Sequence, residues 1–78
     1  MKLAVKYFGM IAEAIGKQEE QLEITGNSVL EVDVFLKNKY AKLEFLNYKF
    51  AVNQVLVDGI KRLKENDEIA LLPPFAGG

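Results

Sequence analysis

No cysteine and no histidine occur in this chain. Without thiols no disulfide can staple it, and without either residue a structural zinc site loses its usual ligands. The same absences remove the thiolate nucleophile and the imidazole base that works near neutral pH. Serine occurs once, at Ser28, where a helix cap accounts for it better than catalysis does. No run approaches the ~20 apolar residues that span a bilayer. Met1 is followed by Lys2-Leu3-Ala4-Val5-Lys6, with charges where a signal peptide would be apolar, so a cytoplasmic protein with no membrane contact is expected. An excess of either charge is missing too. Ten basic against eleven acidic residues leave a net charge of -1, which argues against a nucleic-acid partner. The lone arginine, Arg62, lies in "IKRLK" (60–64), which reads as a solvated loop or edge strand before any phosphate site. Gly9, Gly16 and Gly26 form no phosphate-cradling motif.

What is present suits one small domain. Half of the 78 residues are apolar, and a chain this short buries roughly 60 to 65% of its unfolded surface, so modest stability is expected. "MKLAVKYFG" alternates, with Leu3, Val5 and Tyr7 on one face and Lys2, Ala4, Lys6 and Phe8 on the other: a strand ending at Gly9. "MIAEAIG" reads as a short helical turn closed by Gly16, and "EEQLEIT" as a brief strand with Leu22 and Ile24 on one side. The segment "TGNSVLEVDVFLKNKY" fits two templates. As a strand, Leu30, Val32, Val34 and Leu36 alternate after a Gly26-Asn27 hairpin turn. As a helix, Ser28 and Glu31 form a capping box in which Ser28 accepts from the Glu31 amide and Glu31 reaches back to the Ser28 amide. Val29, Val32, Leu36 and Tyr40 then share a face, with Lys37 and Lys39 at the negative end of the dipole. The residues favour the helix, and the β-branched valines argue against it. Further strands are expected around Phe50–Val52, Val55–Val57 and Glu68–Leu72, separated by turns at Asn53-Gln54, Asp58-Gly59 and Asn66-Asp67. The sum is an α+β domain over 1–72, one main helix on a mixed sheet, with an extended tail over 73–78.

Side chains offer little chemistry. Glu19-Glu20 and Asp67-Glu68 are adjacent pairs that point apart in a strand, so a solvated surface is expected instead of a general acid and base. The tail is the exception. Pro73-Pro74 ends the last strand and stiffens the base of an arm that reaches roughly 20 Å when extended. Phe75 is an aromatic anchor for a pocket, and Ala76-Gly77-Gly78 tapers to bare backbone that a narrow channel admits. Leu71 and Leu72 are further candidate partner contacts, though their alternation places one of them in the core. A Gly78 carboxylate, with a pKa of about 3.5, is ionised at neutral pH and a poor electrophile. Activation by ATP would make its oxygen a leaving group, and that requires a partner enzyme.

The stretches "VNQVLV" (52–57) and "NDEIALLPPFAGG" (66–78), with the alternating first strand ending in Phe8, resemble the small sulfur-carrying subunit of molybdopterin synthase, a ubiquitin-like β-grasp family. The likeness covers nearly the whole chain and is most specific in Pro-Pro-x-Ala-Gly-Gly. It implies a helix for the ambiguous segment. It also implies that an E1-like adenylyltransferase, using ATP, activates Gly78, and that a sulfur donor protein converts it to a thiocarboxylate. The tail, with Leu72, Pro73, Pro74, Phe75, Ala76 and Gly77 as contacts, would enter the large subunit and give sulfur to cyclic pyranopterin monophosphate. Two small and two large subunits would form the synthase. The chain would bind no cofactor or metal itself and would be no enzyme alone. Phe75 is bulkier than the family's usual residue, and Asn66 stands where glycine is frequent, a change that Asn tolerates because it accepts left-handed backbone. A thiamine-pathway carrier, a ubiquitin-like modifier joined through Gly78 and an inert interaction domain are the alternatives.

Overall fold

Alternation along the first residues becomes strand β1, Lys2–Tyr7, with Leu3, Val5 and Tyr7 buried. In this computed structural model, which describes residues 1–74, the strand stops at Tyr7 and not at Gly9. Phe8 takes an extended conformation as N-cap, and Gly9 opens helix α1, Gly9–Ile15. Gly16 closes it at φ 87°, its N–H donating to the Ala12 carbonyl at 2.8 Å, the left-handed stop that glycine supplies without strain. Strand β2, Glu19–Glu23, returns antiparallel to β1.

The ambiguous segment is helix α2, Val29–Lys39, and the hairpin alternative falls. Ser28 is its N-cap, Oγ accepting from the Glu31 amide at 3.4 Å. The reciprocal bond lands one residue earlier than expected: the Glu31 carboxylate accepts from the Asn27 amide at 3.1 Å and from the Ser28 hydroxyl at 3.1 Å. Val29, Val32 and Leu36 are buried, whereas Tyr40 lies beyond the helix as its C-cap. An unanticipated 3-10 turn, Ala41–Phe45, follows and is anchored by the fully buried Leu43. Periodicity is a weak signal there because three residues per turn over five positions repeat barely once.

Strands β3, Lys49–Val52, and β4, Val55–Val57, form a hairpin whose two turn residues, Asn53 and Gln54, have φ of 50° and 72°. Two left-handed residues make the turn whose twist matches the flanking strands. Strand β5, Glu68–Leu72, completes a sheet of order β2-β1-β5-β3-β4. β5 runs parallel to β1 and antiparallel to β3, so the last strand is central. Helix α2 contributes Val29, Val32 and Leu36 to one core with Leu3, Val5, Tyr7, Ile69 and Leu71. The "IKRLK" loop is solvated except at Leu63, which joins the core, and Arg62 makes an isolated antiparallel bridge with Ser28.

Leu36 is fully buried and Leu30, on the same helix, is 59% exposed. Leu36→Ala should lower unfolding free energy by about 2 to 5 kcal/mol, a large part of what a small domain has, and Leu30→Ala by little. Equilibrium urea denaturation of both variants measures the difference.

Candidate functional site: the end of the central strand

The adjacent carboxylate pairs were the side chains weighed for acid–base chemistry. Glu20 turns inward from β2, contrary to the solvated position expected for it, and accepts from the hydroxyls of Tyr7 at 2.6 Å and Tyr40 at 2.5 Å. The Lys17 ammonium adds a bond at 3.2 Å. Partial burial opposes the Glu20 charge, but these three donors outweigh it and hold its pKa below the ordinary carboxylate range. Burial, and then the Glu20 charge, push Tyr7 and Tyr40 upward. Such a cluster is a structural knot, with no group brought toward neutrality. Asp67 accepts from the Lys64 amide at 2.8 Å and from Asn53 Nδ2 at 3.0 Å, pinning the turn in which Asn66 takes φ 69°. Glu68 pairs with Lys6 at 3.6 Å. No group of three metal-ligating side chains occurs among the described residues.

The candidate site is therefore the place where β5 ends. Leu71 is opposite Tyr7 on one side and Phe50 on the other, and Leu72 is opposite Lys49, so both neighbours hold the base of the tail. Leu71 is fully buried, which removes it as a partner contact: alternation sends it into the core and leaves half-buried Leu72 on the opposite face. Pro73 is half-buried and Pro74 exposed. Phe75, Ala76, Gly77 and Gly78 lie outside the described residues. Sequence reasoning missed Gly9. It has φ 58°, and a Cβ there would stand 2.9 Å from Pro73 Cγ, so bare backbone is what lets the proline seat against the start of α1. A glycine directly after an alternating strand was the available signal. Phe8 and Met10, on either side of Gly9, are exposed at the same end of the sheet.

With fold and site in place, relationships become specific. The model of the ThiS family matches residues 5–78, and the chain belongs to that family. It is a sulfur carrier of the ThiS/MoaD type. A putative molybdopterin converting factor subunit 1 from Pyrococcus furiosus superposes with a TM-score of 0.89 at 26% identity, covering 96% of this chain and 99% of that one. Subunit 1 in a complex of subunits 1 and 2 of molybdopterin-converting factor from Helicobacter pylori is 31% identical, covers 100% of both chains and has a TM-score of 0.72. The small archaeal modifier protein SAMP1 from Methanosarcina acetivorans is 27% identical with a TM-score of 0.81, covering 99% of this chain and 96% of that one. The α+β, ubiquitin-like β-grasp expectation thus holds, as does the family resemblance.

Gly9→Ala should cost about 1 to 2 kcal/mol for the left-handed backbone alone and move Pro73. A urea midpoint and the Leu72 and Pro73 NMR resonances check this; unmoved resonances would refute the contact. Glu20, Glu31 and Asp67 all have folded pKa values below their ordinary 4.5, 4.5 and 3.8. The unfolded chain takes up protons first as pH falls, so their contribution is complete above those values and fades as pH drops through the depressed ones. Acid titration of stability should show this decline, with a shallower slope for Glu20→Gln.

Proposed function

We propose that this carrier serves molybdopterin synthesis, with Gly78 as the reacting residue. A partner adenylyltransferase joins the Gly78 carboxylate to the AMP of ATP with release of pyrophosphate; sulfide-level sulfur from a donor protein then attacks the Gly78 carbonyl, displaces AMP and leaves a thiocarboxylate. The tail, from Leu72 through Pro73, Pro74, Phe75, Ala76 and Gly77, enters a large subunit whose residues catalyse sulfur transfer to cyclic pyranopterin monophosphate. Assembly of two small with two large subunits in the cytoplasm belongs to the same reading. The supporting observation is the full-length likeness to subunit 1 of molybdopterin-converting factor, 31% identical over the whole of both chains. The family match running to residue 78 agrees with it.

Structure contributes the handle. β5 is paired with β1 up to Leu71 and with β3 up to Leu72, so the globule moves as one piece with the base of the arm. An arm with a stiff Pro73-Pro74 base loses less entropy on docking than a free one. A second reading, a modifier joined through Gly78 to lysines of other proteins, is favoured by the 27% identity to SAMP1.

Intact-mass spectrometry of protein from its native host should find the increment of one oxygen-to-sulfur exchange, located at Gly78. Conjugates of higher mass that survive thiol reductant would favour the modifier instead. A variant extended by one residue past Gly78 and not trimmed should lose cofactor synthesis entirely, and retained synthesis would overturn the assignment of Gly78.

A further inference from the structure

The sheet's two edges are finished differently. β2 carries Glu19 and Glu23 at exposed positions, and their charge discourages a neighbouring strand. β4, at the other edge, reads Val55-Leu56-Val57, with neither charge nor proline, and Val55 and Leu56 are 63% and 62% exposed. The two-residue turn closes on Val52 and Val55, so ladder alternation directs the Leu56 N–H and C=O away from β3. Neither group has another backbone partner among the described residues. Register also sets the faces. Leu56 stands opposite Ala51, on the side of the sheet away from α2, whereas Val55 and Val57 stand opposite Val52 and Phe50, on the side that packs against α2.

Leu56 supplies the outward rung and is the middle of three apolar residues, so the strand is complementary to itself. A second copy, turned antiparallel about a two-fold axis at Leu56, sets Leu56 against Leu56 and forms two N–H to C=O bonds across the axis. Val55 then meets Val57 of the second copy on the α2 side, in the close pairing where branched apolar side chains touch. The two Leu56 side chains meet on the opposite face. One step further out, Asp58 meets Gln54 of the second copy, a carboxylate against an amide, so no like charges oppose each other across the joint. A charged strand would find no counter-charge within β4 to select it. A second Val-Leu-Val finds an apolar match at every position.

We infer that β4 is a self-association edge, through which two copies of this chain join their five-stranded sheets into one. The two-fold pairing uses up both β4 edges and leaves the acidic β2 edges outermost, so assembly stops at two. Ile60, 84% exposed, and Leu30 of α2 lie beside β4 and widen the apolar contact. One rung and a few side chains make a small interface, so the dimer is weak, half-formed at about 0.1 to 1 mM. β3 separates β4 from β5, so the joint does not run through the last strand, and the inference does not depend on what the tail carries.

Sedimentation equilibrium of the full chain, taken up to about 1 mM, should show a reversible monomer and dimer. Leu56→Glu and Leu56→Lys each set like charges across the axis at an exposed position and should weaken association about tenfold, while an equimolar mixture of the two variants restores it. The lack of cysteine makes a second readout clean. Under mild oxidation Leu56→Cys should cross-link to a dimer, because its two Cα atoms stand about 5.5 Å apart across the axis, within disulfide reach. Val55→Cys alone should not, its two copies being roughly 8 Å apart, but Val55→Cys mixed with Val57→Cys should. A chain that stays monomeric over the whole range would overturn the proposal and leave the edge to a different protein or to none. Glutamate and lysine variants that associate like the parent would overturn it too, as would Val55→Cys cross-linking as readily as Leu56→Cys.

Discussion

The pairing of β5 between β1 and β3 is the constraint on which the molecule depends. A central strand is hydrogen-bonded along both edges, so it can neither slide nor twist without breaking two ladders at once. Its register fixes the faces of its side chains: Ile69 and Leu71 complete the core with α2, and a slip of one residue would exchange them for Glu68, Ala70 and Leu72. The same register fixes where the chain leaves the sheet. Stability and presentation of the tail are therefore one property, carried by five residues.

Much of this was legible because the period-two and capping signals were strong. β1 reads directly from Leu3, Val5 and Tyr7 against three hydrophilic or small neighbours, and the Asn53-Gln54 turn from residues that tolerate positive φ. The segment 26–40 was legible only in part. Leu30, Val32, Val34 and Leu36 satisfy both periods, and the cap at Ser28 decides between them because it stabilises only the helix. Burial afterwards separates the two patterns: Val32 and Leu36 are inside, Leu30 and Val34 outside.

What escaped the sequence was long-range. Nothing near Glu20 announces that Tyr7 and Tyr40, thirteen and twenty residues away, deliver their hydroxyls to it. A part-buried carboxylate is stabilised by donors from other elements, and local patterning cannot report them. Gly9 is similar, since its need for bare backbone is set by a proline at the far end of the chain. The chemistry proposed at Gly78, by contrast, was suggested by elimination and by the family likeness, because a chain without thiol or imidazole has few other places to react.

The parallel neighbours β1 and β5 come from opposite ends of the polypeptide. Until β5 is in place the middle of the sheet has no strand to fill it, and β1 and β3 have no other strand to join them. Closing so long a loop is entropically slow, which places this molecule among topologies that acquire their shape late and all together. A copy cut short before β5 consequently has no half-built version of the handle to offer.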